Sequence, residues 1–576
     1  MTATPHIPDP RRLERWAAPI ALLVLASLAM GNIIPNKFTR DDIGLILENP
    51  LAKSWSGVWH AFNAAYWPPT DSGELYRPLS IAWLTIQFRL GGGHELLFRL
   101  CSLAAYGASC LAVWAVLKRV APLPAAWVGA ALFAVHPVHV EALVEAVSQS
   151  ELIVAALLCW GVALHIDANR GAREVRATAS AESLLFVVAV FFKEHALVFP
   201  ALLLATDLLV DPTAEPFRTR WRRWRSHYGV IALIALLFWL TRGQVLGTAS
   251  GTGPHEALAG GLFARIHTML GVPAEWLRLF LWPAHLQDEW SLMEWVPGAG
   301  WTPRETAGAL AVASLVLAAI LAWRRMPILA WGLVWIGLAL GPVANIVIPT
   351  GVLIAERTLF LPSVGLAVAL AALLTPMVNA HDRLGPVWSR VGLWGIGALL
   401  SLGILRSAMR CVDWRTPVIW TVRSVALAPL SWRTHLTYGM VLSNVGDTAG
   451  ARAEVRASLA LREDNPVVLK FVADRGRLSN GACIGPTIVY EEVLKAVPQR
   501  SDVRASLLAC LAIMGRYEQA QRIAMAGDSI GIDRTFYHTM AIRATQNLRA
   551  HTPMGQWRVR FPTGTATDIG GPQRSH

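Results

Sequence analysis

Charge is scarce in this chain. Of its 576 residues only 16% are Asp, Glu, Lys or Arg, and 54% are hydrophobic. A soluble protein of this length carries roughly a quarter charged residues, so the shortage excludes an ordinary water-soluble fold. Cysteine is scarce as well, with six in all. They form no CxxC or zinc-like spacing, which excludes the common cysteine-based metal motifs. Cys101, Cys110 and Cys159 sit in apolar runs as small hydrophobes, whereas Cys411, Cys483 and Cys510 fall outside the membrane segments and their spacing assigns no disulfide. No convincing small-residue cleavage pattern follows the run Trp16 to Ile34, which Arg11, Arg12 and Arg15 precede, so that run reads as an uncleaved first transmembrane helix. No base-reading motif accompanies the net charge of +12. The arginine clusters therefore read as topology signals and not as a nucleic-acid footprint.

What is abundant is the long apolar run. Spans are expected near 16–35, 97–117, 124–141, 149–167, 182–194, 195–210, 229–245, 304–323, 327–347, 357–377 and 389–408. That makes about eleven, two of them short for a bilayer. Arg11 to Arg15, Lys118-Arg119, Arg170 to Arg176, Arg218 to Arg225, Arg324-Arg325 and Asp382-Arg383 fall at alternate connections and should face the cytoplasm. The opposite connections then face outward, including loops 36–96 and 246–303, and an odd span count puts the C-terminal third outside too. Pro78 to Leu90 and Leu262 to Trp282 break the alternation and read as helices lying in the outer interface.

After Arg410 the character changes. An internal period near 34 residues, that of tetratricopeptide helix pairs, is carried by Gly439, Gly446, Asp447, Ala451 and Leu459. A later copy has Leu507, Leu511, Gly515, Arg516, Tyr517 and Ala520, and 466–500 is a degenerate middle copy. The expected organisation is all-α: a membrane domain over 1–415, a repeat domain over 416–550 and a disordered tail over 551–576.

Polar residues are costly in such a chain, so each polar island asks for a reason. Asp41-Asp42, in the first outer loop, suits a general base, or else a solvated loop carboxylate or helix N-cap. The segment 132–151 carries His136, His139, Glu141, Glu145 and Glu151 at the exit of a span. His136, His139 and Glu141 could hold a divalent metal, but a polar shell around the site is favoured and no metal site is assigned. Lys193-Glu194-His195 interrupts two apolar runs, as a cation for a lipid phosphate or as an ion pair at a helix break. Glu356-Arg357 sits at the outer mouth of another span, and Arg242 ends a third; either arginine can bind phosphate or anchor the interface. Trp55, Trp59, Tyr66, Trp67, Tyr76, Trp290 and Trp295 could stack on sugars, but the membrane-belt reading is the better one for most.

The order and spacing of six stretches resemble a known family. They are FTRDDIGLILENP at 38–50, YRPLS at 76–80, LFAVHPVHVEALVEAVSQSELI at 132–153, KEHALVFPALLLATDLL at 193–209, ERTLFLPSVG at 356–365 and RCVDW at 410–414. The family is the transmembrane and tetratricopeptide-repeat O-mannosyltransferase-like proteins, within the GT-C class of lipid-dependent glycosyltransferases. The resemblance implies inverting transfer of a sugar, with mannose as one candidate, from a polyprenyl-phosphate carrier to a protein or glycan hydroxyl outside the membrane. By analogy Asp41, with Asp42, is the base. Lys193, Arg242 and Arg357 would hold the carrier phosphate. Arg77, His136, His139, Glu141, Glu151, Glu194 and Glu356 would shape the site. The repeats would dock the acceptor. Two departures stand out: Gln149-Ser150 where the family often has an arginine, and a short repeat array. The arginine- and alanine-rich composition favours a bacterial inner membrane, with the N-terminus cytoplasmic and the site and repeats periplasmic. The competing readings are an O-antigen-type polymerase or ligase, using His255, Arg265, His267, Arg278 and His285 of the large late loop, and a non-catalytic scaffold.

Overall fold

The computed structural model describes residues 10–67, 75–211, 215–247, 261–290, 301–346, 352–379, 386–461, 469–470, 473–474, 483–529, 558–560 and 566–568. Its chain divides into two units, 1–417 and 418–576.

The first unit is helical throughout its described residues. Helix α1 (Pro10–Met30) leads into the first loop, which holds a π-helical turn (Ile43–Leu47), the short α2 (Gly57–His60) and α3 (Pro78–Gly91). Then come α4 (Glu95–Val120), α5 (Leu123–Ala134), α6 (Val140–Val144), α7 (Gln149–Asn169), α8 (Val175–Phe192), α9 (Phe199–Leu209) and α10 (Phe217–Leu246). The short α11 (Leu262–Leu270) and α12 (Val272–Leu281) precede α13 (Pro303–Arg325), α14 (Pro327–Leu340), α15 (Phe360–Asn379) and α16 (Pro386–Asp413).

All eleven expected segments hold helix, but of unequal length. Among the described residues eight helices are long and apolar enough to cross a membrane, or nine if the α5–α6 pair, bent by 47°, counts as one. By length and composition the described residues thus hold eight or nine such helices, against the eleven segments expected from the sequence. Segment 195–210 yields only the 11-residue α9, because Lys193 is extended (φ −160°) and Glu194–Val198 winds as a 3-10 turn first. Segment 327–347 yields the 14-residue α14, which ends where Gly341-Pro342 opens a 3-10 turn. Both fall short of the roughly 20 residues a bilayer asks for. Leu262 to Trp282 is two helices, α11 and α12, joined at Gly271.

Exposure sorts the long helices. Leu310, Val316, Ile320 and Leu321 on α13 are exposed, as are Leu393, Trp394, Leu399 and Leu402 on α16. Apolar faces this extensive are the mark of contact with lipid. Most of α4, α7 and α15 is buried. Small residues let the inner helices approach closely, as packing within lipid requires. A Cβ on Gly332 of α14 would lie 2.7 Å from the Gly365 carbonyl oxygen of α15, and a Cβ on Gly365 would lie 2.5 Å from that of Gly332.

The second unit begins with α17 (Pro417–Leu427), of which residues from 418 belong to it. It continues with α18 (Trp432–Asn444), α19 (Thr448–Ala460), α20 (Ile484–Ala496), α21 (Ser501–Ile513) and α22 (Tyr517–Ser529). Trp432, Leu436, Val455, Tyr490, Val493, Leu507 and Leu511 share one core. Gly446 (φ +90°) and Gly515 (φ +69°) take the left-handed turns after α18 and α21, where a side chain would be strained. Asp447 accepts from the Gly450 amide at the start of α19. Cys483 and Cys510, 27 residues apart, form a disulfide, whereas Cys411 is a buried free thiol of the first unit. In the tail the described residues form an antiparallel ribbon, Arg558–Arg560 with Ala566–Asp568.

Candidate functional site

The site is built on two interruptions. The first is in the loop after α1. Asn32 Nδ2 donates to the Ala408 carbonyl, Asn36 Nδ2 to that of Cys411, and the Lys37 amide to that of Arg415, which ties the loop to the end of α16. Arg40 then adopts a left-handed backbone (φ +49°), a conformation a non-glycine residue holds only where its surroundings fix it. The second interruption is His136-Pro137. The histidine Nδ1 accepts from the Val138 amide and Pro137 opens a 3-10 turn, so the α5 line bends and presents Glu141 and Glu145 inward.

These breaks converge on the mouth of α15. Arg357 Nη1 donates to Glu141 Oε1 at 2.6 Å, and the Arg357 amide donates to Glu141 Oε2 at 3.0 Å. Arg40 Nη1 donates to the same Glu141 Oε1 at 2.8 Å. Both guanidinium groups also reach Glu145, which accepts from Ser148 Oγ as well. Asp41 Oδ2 lies 3.7 Å from Arg357 Nη2. Burial pushes the Glu145 carboxyl up to about 8, although Arg357 and Arg40 pull it down.

The two adjacent aspartates are not equivalent. The Asp41 side chain is 29% exposed, whereas that of Asp42 is sealed against the equally buried Arg99 at 3.4 Å. Asp42 also accepts from the Val147 amide at 3.1 Å. Arg99 spends its remaining donors on the carbonyls of Asn36, Lys37 and Val144. Asp42 is thus a buried pin between the first loop, α4 and the turn that precedes α7.

A second group lies by the Lys193 break. Lys193 Nζ donates to Glu151, and His195 Nδ1 is 3.6 Å from the other Glu151 oxygen. Arg77 makes a two-pronged pair with Glu194 at 2.9 and 2.5 Å and lies over the Tyr66 ring at 5.1 Å. Burial works to raise the Glu194 carboxyl, but Arg77 and Lys193 hold it down at about 2. Tyr66, under Arg77, is also within electrostatic reach of Asp41, Asp42 and Arg357.

The other expected residues have these contacts. The buried His139 ring bonds Tyr106 at 3.1 Å and Ser363 at 2.9 Å, while His136 Nε2 meets the Phe280 carbonyl at 3.0 Å. Glu356 pairs with Arg410 at 3.6 Å and accepts from the Gln287 amide at 2.5 Å, and it remains within electrostatic reach of Glu141. Arg242, on α10, lies over the Trp239 ring at 5.3 Å. One turn earlier Phe238 packs on Tyr76 and Phe191. Tyr66 and Tyr76 are buried and so are not belt residues, unlike the exposed Trp55 and Trp59. Trp295 and His255 lie outside the described residues. Gln149 sits in a closed neutral network with Trp83, Gln87, Ser102 and the Phe98 carbonyl, which leaves its place without need of an arginine. Arg40, Arg99 and Arg410, which the sequence does not single out, complete these pairs together with Glu145 of the 132–151 segment. No group of three or more metal-ligating side chains gathers among the described residues.

Fold and site together define a polytopic integral membrane protein with a carboxylate–guanidinium cluster at one end of its helices. No family model matches the chain. It is 22% identical over 450 residues to Protein O-mannosyl-transferase F38B6.6 of Caenorhabditis elegans, covering 75% of this chain and 61% of that protein. It is 24% identical over 504 residues to Protein O-mannosyl-transferase TMTC4 of Mus musculus (77% and 66%) and 25% identical over 495 residues to TMTC4 of Homo sapiens (75% and 65%). The chain spans less than two thirds of the length of these relatives. The resemblance to the O-mannosyltransferase-like family thus extends over three quarters of this chain.

Proposed function

We propose that the protein is a glycosyltransferase of the GT-C class that moves a sugar from a polyprenyl-phosphate carrier to a protein or glycan hydroxyl. The relatives' names support the transferase class. One observation supports the base: of the cluster formed by Asp41, Glu141 and Glu145, Asp41 alone has substantial solvent access, and a guanidinium stands beside it. Asp41 takes the acceptor proton as the acceptor oxygen attacks the anomeric carbon. The bond from that carbon to the phosphate oxygen breaks on the opposite face, and the configuration inverts. Lys193, Arg242 and Arg357 are the cations proposed for the departing phosphate, where fixed positive charge lowers the barrier. Glu141 and Glu145 hold Arg357 and Arg40 in place. No divalent metal is needed in this scheme. The second unit is proposed to be a short tetratricopeptide array that docks the acceptor. A bacterial inner membrane, with site and repeats periplasmic, is the proposed setting; the Cys483–Cys510 disulfide suits an oxidising compartment.

The test uses the full chain in lipid with a panel of labelled polyprenyl-phosphate monosaccharides and membrane extract. Asp41→Asn should lower transfer by about 100-fold or more while insertion and folding persist. Asp42→Asn leaves the base in place. Normal turnover by Asp41→Asn would refute the assignment.

A further inference from the structure

Helix α10 is longer than a membrane needs. Its 30 residues, Phe217–Leu246, extend about 45 Å at 1.5 Å per residue, against a hydrocarbon core of roughly 30 Å. The excess of about 15 Å corresponds to roughly ten residues. The segment Phe217 to Ser226, FRTRWRRWRS, is the polar end of this helix.

That end has two distinct faces. Arg220, Trp224, His227 and Ile231, spaced as one side of a helix, are buried. They hold the helix to its neighbours: Arg220 caps the carbonyls of Asp207, Val210 and Asp211 after α9, and Trp224 Nε1 donates to Asn169. His227 Nε2 bonds Glu182 at 2.6 Å. The other face carries Arg218, Trp221, Arg222 and Arg225, all exposed. Arg223, between the faces, is neutralised by Glu215 at 2.5 Å. None of Arg218, Arg222 and Arg225 has a carboxylate partner among the described residues. The exposed Phe217 and Trp221 flank them, as aromatics do at headgroup depth.

The end also has a definite place. Asn169 closes α7, whereas Glu151 of the candidate site lies near its start. The cationic face is therefore at the far end of the helices from the candidate site, in the opposite leaflet.

We propose that Arg218, Arg222 and Arg225, with Trp221, form a docking surface for the phosphates of anionic phospholipid headgroups in that leaflet. Charge complementarity carries this, since three unneutralised guanidinium groups are held at headgroup depth by a helix whose other face is locked. Planar guanidinium forks suit phosphate oxygens, and the indole packs on the acyl boundary.

The full chain is placed in nanodiscs of phosphatidylcholine with a minor fraction of phosphatidylglycerol, and retained lipids are counted by native mass spectrometry. Wild type should retain phosphatidylglycerol selectively. Each Arg→Gln change at Arg218, Arg222 or Arg225 should lower that selectivity about fivefold. Arg324→Gln with Arg325→Gln, at an exposed basic pair on α13, is the control and should leave most of it. The Arg→Lys triple keeps the charge and should keep the preference, which separates lost binding from lost folding. Unchanged retention by the Gln triple, or equal loss in the control, would overturn the proposal.

Discussion

The tightest point of the membrane unit is the crossing of α14 and α15, and it makes a sharp prediction. In Gly365→Ala the new methyl would sit 2.5 Å from the Gly332 carbonyl oxygen and 2.9 Å from the Ile336 amide nitrogen. Ordinary contact begins at 3.4 Å, so the helices must part by roughly 0.5 to 1 Å. The obstacle is backbone and cannot rotate aside. Overpacking costs about 1–3 kcal/mol, and a rigid obstacle places this change at the upper end. Gly337→Ala, on the facing helix α14, meets nothing within 4 Å and is the internal control. It should be neutral or stabilising by up to about 1 kcal/mol, the intrinsic helix preference of alanine. Thermal unfolding of both variants in one detergent reads the contrast. Because α15 continues directly from the turn Glu356–Leu359, parting the helices also displaces Arg357, so the proposed transferase activity should fall with stability in Gly365→Ala. Equal melting temperatures for the two variants would refute the close crossing and the reasoning drawn from it.

Glu145 sets a pH dependence. Its carboxyl is raised from an ordinary 4.5 to about 8, so the folded state binds this proton more readily than the unfolded state does. That contribution is fully present at low pH and is lost as pH rises from about 4.5 to about 8. Glu145→Gln mimics the neutral form and should flatten the fall in melting temperature between about pH 5 and about pH 8.5, and equal slopes would reject the assignment. The second unit should depend on its disulfide. Closing a loop of 27 residues is worth about 3–4 kcal/mol, so Cys510→Ser or a reductant should lower the melting of that unit by this amount. Recovery of both thiols after alkylation under non-reducing conditions would show that the bond does not form.

The helices were legible because hydrophobic runs and their flanking arginines report on lipid directly. Span length was less legible, because it depends on where the backbone breaks. Lys193-Glu194-His195 marked a helix break between two apolar runs, but not that the next five residues would wind as a 3-10 turn, which leaves α9 with only 11 residues. The His-Pro bend was visible as a proline but not as the device that turns Glu141 inward. The site was legible as islands, not as pairs. Asp41, Glu141 and Arg357 could each be singled out because a polar residue in apolar sequence needs a partner. Their partners could not, since Arg40 meets Glu141 across 101 residues and Arg357 meets it across 216. The scarcity of charge did hold a usable signal. Arg40 and Arg410 both sit within the stretches that carry the family resemblance, and neither could be buried without an acid to meet it.

That same economy decides which experiments can assign roles. Glu141 joins Arg40 of the first loop to Arg357 at the mouth of α15, and Asp42 joins the loop to Arg99 of α4. These bridges hold helices together as well as orienting charge. Removing one member of such a buried pair leaves the other uncompensated, a loss of about 3–5 kcal/mol where burial is complete. A dead Glu141 or Arg357 variant would therefore be explained equally well by a loosened fold. Asp41 escapes the ambiguity. It is half-buried and its ion pair with Arg357 is long at 3.7 Å, so Asp41→Asn, which keeps the size of the side chain, should cost about 1–2 kcal/mol, well below the loss at a sealed pair. A large loss of turnover on so small a structural change can only be chemical.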